Sequence, residues 1–136
     1  MADKIRNQIQ VYDSMFQQTS KLDWDAVRNL AREYAATIEK LTPELYVEMQ
    51  GIADGSGLDL LDIVALNCRS EIALGHFSDG CTSLGWKTRE EGVILSQNWD
   101  WTARVKKNLV LMSIEKPNQP KIYMVTEVRY LLLYIS

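Results

Sequence analysis

The apolar residues of this chain change their period partway along, and that change limits the fold more than any other feature. Up to Gly75 they recur at helical spacing. Ile5, Ile9, Tyr12 and Phe16 fall on one face, which predicts a helix over residues 3–18. Asp23 or Asp25 can cap a second helix carrying Val27, Leu30, Tyr34, Ile38 and Leu41. Thr42-Pro43-Glu44 restarts the chain, with an N-cap, a proline at the first helical position and an acid in the first turn. Leu45, Met49, Ile52 and Ala53 form the stripe of that third helix, and Gly55 and Gly57 end it. Asp59 opens a fourth, with Leu61, Val64, Ala65, Cys68 and Ile72 on one side and Gly75 as its stop. Beyond Gly75, β-prone runs replace helices, at 81–86, 92–95, 108–114, 121–126 and 128–135. Glu90-Glu91-Gly92 and Lys116-Pro117-Asn118-Gln119-Pro120 read as turns between them. Helices first and antiparallel strands later predict an α+β fold.

Composition narrows the function. A length of 136 residues suits one domain, and the net charge of −3 leaves no basic footprint for nucleic acid. No stretch approaches the roughly 20 apolar residues of a membrane span, and the first residues, Met-Ala-Asp-Lys-Ile-Arg, lack an apolar signal core. Cys68 and Cys81 do not make a disulfide framework, so an intracellular, cytoplasmic location is the expectation. Cys68, His76 and Cys81 do not have zinc-ligand spacing, and no metal site is expected.

The chemistry concentrates at Ser78-Asp79-Gly80-Cys81-Thr82-Ser83, between the helical half and the first strand-like run. A chain that cuts itself between Gly80 and Cys81 exposes a thiol beside its own α-amine, a nucleophile and a base in one residue. That amine has a reference pKa of roughly 7.7–8.0, suited to a base near neutral pH. Glycine at the preceding position tolerates the bend a scissile peptide needs. The plain alternative is a free cysteine buried at a strand start. Gln97-Asn98-Trp99-Asp100-Trp101 follows the apolar run Val93-Ile94-Leu95. There Asp100 can orient the amine, Asn98 can offer an amide to a developing oxyanion, and Trp99 and Trp101 can wall an acyl pocket. An Asx turn with two packing tryptophans is the alternative. Gly51, Gly55 and Gly57 follow no strand and read as a helix end with tight helix packing rather than a phosphate loop. Arg69 and Glu71 are close enough in sequence to reach the Gly-Cys step, or form a solvated pair.

Four segments then line up in order: Pro43-Glu44-Leu45-Tyr46-Val47-Glu48-Met49-Gln50-Gly51-Ile52-Ala53-Asp54-Gly55, Asp62-Ile63-Val64-Ala65-Leu66-Asn67-Cys68-Arg69-Ser70-Glu71-Ile72, Asp79-Gly80-Cys81-Thr82 and Gln97-Asn98-Trp99-Asp100. In this the chain resembles the peptidase C45 family of N-terminal-nucleophile hydrolases, which includes the fungal acyl-coenzyme A:isopenicillin N acyltransferases of penicillin biosynthesis. The resemblance implies a four-layer αββα sandwich, of which this chain would hold part. It implies autocleavage at Gly80-Cys81, with Cys81 as the nucleophile and Asp100 supporting it. Residues 1–80 would be a helical α-subunit and 81–136 the start of a β-subunit sheet, giving a self-cleaved α/β heterodimer. The partners would be a small-molecule amide or acyl donor, with acyl-coenzyme A as co-substrate and no cofactor. After Glu127 the chain departs from the family pattern, and an oxyanion-hole asparagine and an arginine of the family have no counterpart here. That departure predicts a truncated chain. The competing expectation is a catalytically inactive remnant or a helical interaction protein.

Overall fold

A computed structural model describes residues 1–73, 80–90 and 92–128. Five helices come first: α1 (Ala2–Thr19), α2 (Trp24–Leu41), α3 (Pro43–Ser56), α4 (Leu60–Asn67) and the single turn α5 (Arg69–Ile72). Four strands follow, β1 (Gly80–Lys87), β2 (Val93–Asp100), β3 (Leu109–Ile114) and β4 (Ile122–Glu127), with a 3-10 helix, Ala103–Asn108, before β3. The chain is thus a mixed helix-and-sheet protein. No helix of the described residues is long and apolar enough to cross a membrane.

The core gathers around α4. Its Ile63, Val64, Ala65 and Leu66 are all fully buried, as a helix apolar all round requires. Side-chain caps start two of the helices. Asp23 accepts from the Ala26 amide at 2.8 Å, and Asp59 accepts from the Leu61 amide at 2.8 Å. Thr42 holds the N-cap position of α3, with Pro43 and Glu44 in the first turn, but its hydroxyl donates back to the Ile38 carbonyl at 3.2 Å and makes no capping bond. The residue Asp62 is buried but paired, accepting from the Trp24 indole at 2.9 Å with Arg28 at 3.6 Å.

Several helical faces differ from the sequence reading. On α2 the buried residues are Val27, Ala31 and Ala35, whereas Leu30 and Leu41 are exposed. Small side chains at that seam let α4 approach closely, which the larger apolar residues would prevent. On α1 the buried face runs through Ile5, Gln8, Tyr12 and Phe16, with Gln8 in place of Ile9. The fourth helix breaks at Cys68 into α4 and α5, and its expected stop, Gly75, lies outside the described residues.

The glycines of α3 separate cleanly. Gly57 ends the helix in the left-handed region at φ 64°. Gly51 and Gly55 lie within the helix, and a Cβ at either would meet nothing within 4 Å, so they do not mediate tight helix packing. Gly57→Ala should therefore cost roughly 1–2 kcal/mol through left-handed strain. Gly51→Ala should instead stabilise by roughly 0.5–1 kcal/mol. Urea midpoints moving in opposite directions check the pair.

The strands form two antiparallel hairpins, β1 with β2 and β3 with β4. β2 is longer than the sequence predicts. It runs on through Asn98, Trp99 and Asp100, which are strand residues and not an Asx turn. The β3–β4 hairpin meets α1 where the Lys4 ammonium donates to the Leu109 carbonyl at 3.0 Å, and its ladder is extended by the Val128 amide donating to the Asn108 carbonyl at 3.0 Å. Val128 is a turn residue, and the rest of the strand expected over 128–135 lies outside the described residues.

Candidate functional site

Cys81 is the second residue of β1, and its neighbour across the ladder is Trp99. Gly80 pairs with Asp100, and Thr82 pairs with Asn98. The antiparallel register thus gathers Gly80, Cys81, Asn98, Trp99 and Asp100 at one end of one hairpin. Opposed residues share a face of the sheet, and successive residues alternate. The thiol of Cys81 therefore shares its face with Trp99, Ser83 and Gln97. Asp100 and Asn98 project from the other face.

This division alters the part Asp100 can play. Its carboxylate stands beside Gly80 rather than beside the sulfur. A methyl built on Gly80 would sit 3.8 Å from the Asp100 Oδ2. That is an ordinary contact distance, so the Asp100 side chain lies directly against Gly80. Asp100 thus stands across the ladder from Gly80, on the face away from the thiol.

The two cysteines differ sharply. Cys81 is exposed, whereas Cys68 is buried at the junction of α4 and α5. Burial, and then the Glu71 carboxylate, push the Cys68 thiol up to about 11. At neutral pH Cys68 is held as the unreactive thiol. The expected site thus retains Cys81 as its accessible sulfur.

On the thiol side of the sheet, a cleft of about 720 Å³ opens between the two hairpins. Ser83, Leu95, Gln97 and Trp99 line one wall, and Tyr123 and Val125 from β4 line the other. Trp99 is thus one wall of a recess on the Cys81 face. Trp101 is not. Its indole turns into the helical body and donates to the Tyr12 hydroxyl at 3.2 Å.

That contact opens onto a polar cluster that sequence reasoning missed. The Tyr12 hydroxyl donates to the Glu127 carboxylate, at 3.1 and 3.2 Å to its two oxygens, and accepts from Arg69 Nε at 2.9 Å. Arg69 also pairs with Glu127 at 3.8 Å and lies over the Tyr12 ring at 5.4 Å. The Gln8 amide donates to Glu127 and accepts from Asn108 Nδ2. Gln8, Arg69, Asn108 and Glu127 are all buried. Arg69 therefore neither reaches the Gly-Cys step nor forms a solvated pair with Glu71. It enters the core and neutralises a carboxylate from the last described strand. One signal was available: Gln8 interrupts an apolar helical stripe, and a polar residue there needs a buried partner.

Among the described residues no cluster of His, Cys, Asp and Glu could hold a metal ion, and His76 lies outside them. No family model matches the chain. Over 103 residues it is 38% identical to the acyl-coenzyme A:6-aminopenicillanic-acid-acyltransferase 40 kDa form of Emericella nidulans, an alignment covering 74% of this chain and 29% of that protein. The chain thus spans under a third of the length of this relative. At family level the match supports kinship with acyltransferases.

Proposed function

We propose that this chain is the nucleophile-bearing part of a C45-type, N-terminal-nucleophile acyltransferase, with a partial αββα sandwich. Cys81 first cuts the chain and then carries acyl groups. The observation that supports this most directly is the register that sets the exposed Cys81 thiol and the Asp100 carboxylate on opposite faces of one peptide, with Gly80 opposite Asp100. The kinship above supports acyl transfer as the chemistry.

In the first stage the Cys81 sulfur, having given up its proton, attacks the Gly80 carbonyl carbon. The Gly80–Cys81 C–N bond breaks, and the departing nitrogen takes a proton to become an α-amine. The thioester left between Gly80 and the sulfur adds water, releasing a Gly80 carboxylate and a free thiol. Residues 1–80 and 81–136 are then the two subunits. Asp100 accepts a hydrogen bond from the new amine and keeps it beside the sulfur. In the second stage the α-amine takes the thiol proton. The sulfur attacks an acyl thioester, the donor thiol leaves with that proton, and an amine or water collects the acyl group. The cleft bounded by Trp99 and Tyr123 takes the apolar part of the acyl chain. Acyl-coenzyme A and 6-aminopenicillanic acid, both in the name of the relative, are the first donor and acceptor to try.

The test is direct. The processed chain incubated with an acyl-coenzyme A should gain one acyl mass on the 81–136 piece, and hydroxylamine should remove it. No gain on that piece, or an equal gain in Cys81→Ala, overturns the proposal.

A second reading is favoured by one observation. Leu84, Trp86, Ile94, Leu95 and Leu111 are exposed on the hairpins, as expected of a non-catalytic helical protein that lends its hairpins to a partner's sheet. Acylation of Cys81 separates the two.

A further inference from the structure

We propose that the buried Tyr12–Arg69–Glu127 cluster is a positioning device that sets Asp100 against the Gly80–Cys81 peptide, a role that rests on the cleavage reading above. An O–H has one donor and two acceptor sites. In Tyr12 the donor serves Glu127, and the acceptors take Arg69 Nε and Trp101 Nε1. Every site is used, and the three partners come from three distant parts of the chain. Arg69 opens α5, the last described element before Gly80. Trp101 directly follows Asp100. Glu127 ends β4. One hydroxyl therefore ties together the segment leading into the candidate junction and the residue just past its carboxylate.

The β1–β2 hairpin needs such a tie. Every residue of β1 is exposed, and in β2 only Trp99 is half-buried. Packing alone leaves this ladder free to swing against the helices. Trp101, half-buried against the core cluster, is where the β2 end meets the helical body. Fixing the Trp101 indole fixes the backbone one residue earlier, and with it the reach of Asp100 toward Gly80. Burying charge for this purpose is costly: a well-packed apolar group of the same size is often as stabilising as a buried ion pair. What an apolar group lacks is direction. A filled set of hydrogen bonds gives one geometry. Tyr12, Arg69 and Glu127 touch no reacting atom and act through Trp101.

Two measurements test this. In the uncut Cys81→Ala background, Tyr12→Phe and Trp101→Phe should each speed amide exchange at the Gly80–Asp100 end of the ladder at least tenfold, while amides of α2 keep their protection. In the active chain, at a temperature where each variant remains folded by circular dichroism, both should slow cleavage at least tenfold. The double variant should be no slower than the worse single, because the one hydrogen bond by which the hydroxyl reaches the ladder is already lost in either single variant. A role in stability alone leaves the cleavage rate of the folded chain unchanged. Unaltered ladder exchange in both variants, or additive losses in the double, overturns the positioning proposal. Faster ladder exchange in a chain that never cuts itself overturns the cleavage reading instead, and leaves the coupling of Tyr12 to Asp100 standing.

Discussion

Replacing Glu127 by alanine is expected to remove a large share of the stability of this fold. The side chain is fully buried and accepts hydrogen bonds from Gln8 and Tyr12 while facing Arg69. The variant strips that charge from Arg69, which is itself buried and has α5 and the Tyr12 ring packed about it. Breaking a buried pair from one side costs about 3–5 kcal/mol, because the remaining charge stays desolvated. The whole stability of a small domain is roughly 5–15 kcal/mol. Urea unfolding followed by far-ultraviolet circular dichroism should show the midpoint displaced to lower denaturant accordingly. A shift under about 1 kcal/mol, no larger than a surface ion pair gives, would show that the cluster is solvated. Leu111→Ala, at an exposed strand position, is the fitting control and should shift the midpoint little.

The second large effect is chemical. Cys81→Ala should abolish both scission and acylation, while Cys68→Ala should leave both intact. The two cysteines are not interchangeable, because the sulfur must be ionised and reachable to attack a carbonyl. Cys68 is buried, and its thiol is pushed up to about 11, so only about one molecule in ten thousand carries a thiolate there at pH 7. Cys81 is exposed, and the glycine before it pairs across the ladder with Asp100. Loss of Cys81 therefore removes the reaction rather than slowing it. Gel analysis of the three proteins over time, together with acyl transfer from a coenzyme A thioester, reads this out. Equal scission in wild type and Cys81→Ala would assign the break to a contaminating protease.

Much of the helical half could be read from the chain because its signals are local. Asp23 and Asp59 cap helices within three residues of themselves, and Pro43 and Gly57 mark the ends of α3 by backbone restriction alone. The faces were harder. Leu30 fits the apolar period of α2 yet is exposed, because the seam with α4 selects the small Ala31 and Ala35 instead. Periodicity gives a stripe about one residue wide and cannot tell which edge of it a neighbour will cover.

The candidate site was legible as residues and not as geometry. Gly80, Cys81 and Asp100 were named from sequence, and the ladder does bring them together. That Asp100 stands on the face away from the thiol follows from strand register, and register was hidden while 97–101 still read equally as a turn. The Tyr12–Arg69–Glu127 cluster was invisible for another reason. Its members lie up to 115 positions apart; Tyr12 alone reads as one more residue of an apolar helical face, and Arg69 and Glu127 as ordinary surface charges. Only Gln8, polar on an apolar stripe, hinted at it. Sequence spacing carries no information about pairs that only the tertiary fold brings into contact.

Everything functional in this account rests on scission between Gly80 and Cys81. Intact-mass analysis of the freshly purified chain beside its Cys81→Ala counterpart tests that most directly. The account predicts two species for the wild type, residues 1–80 and residues 81–136 with cysteine leading the second, and one uncut species for the variant. A wild-type chain that stays whole, like the variant, would contradict it.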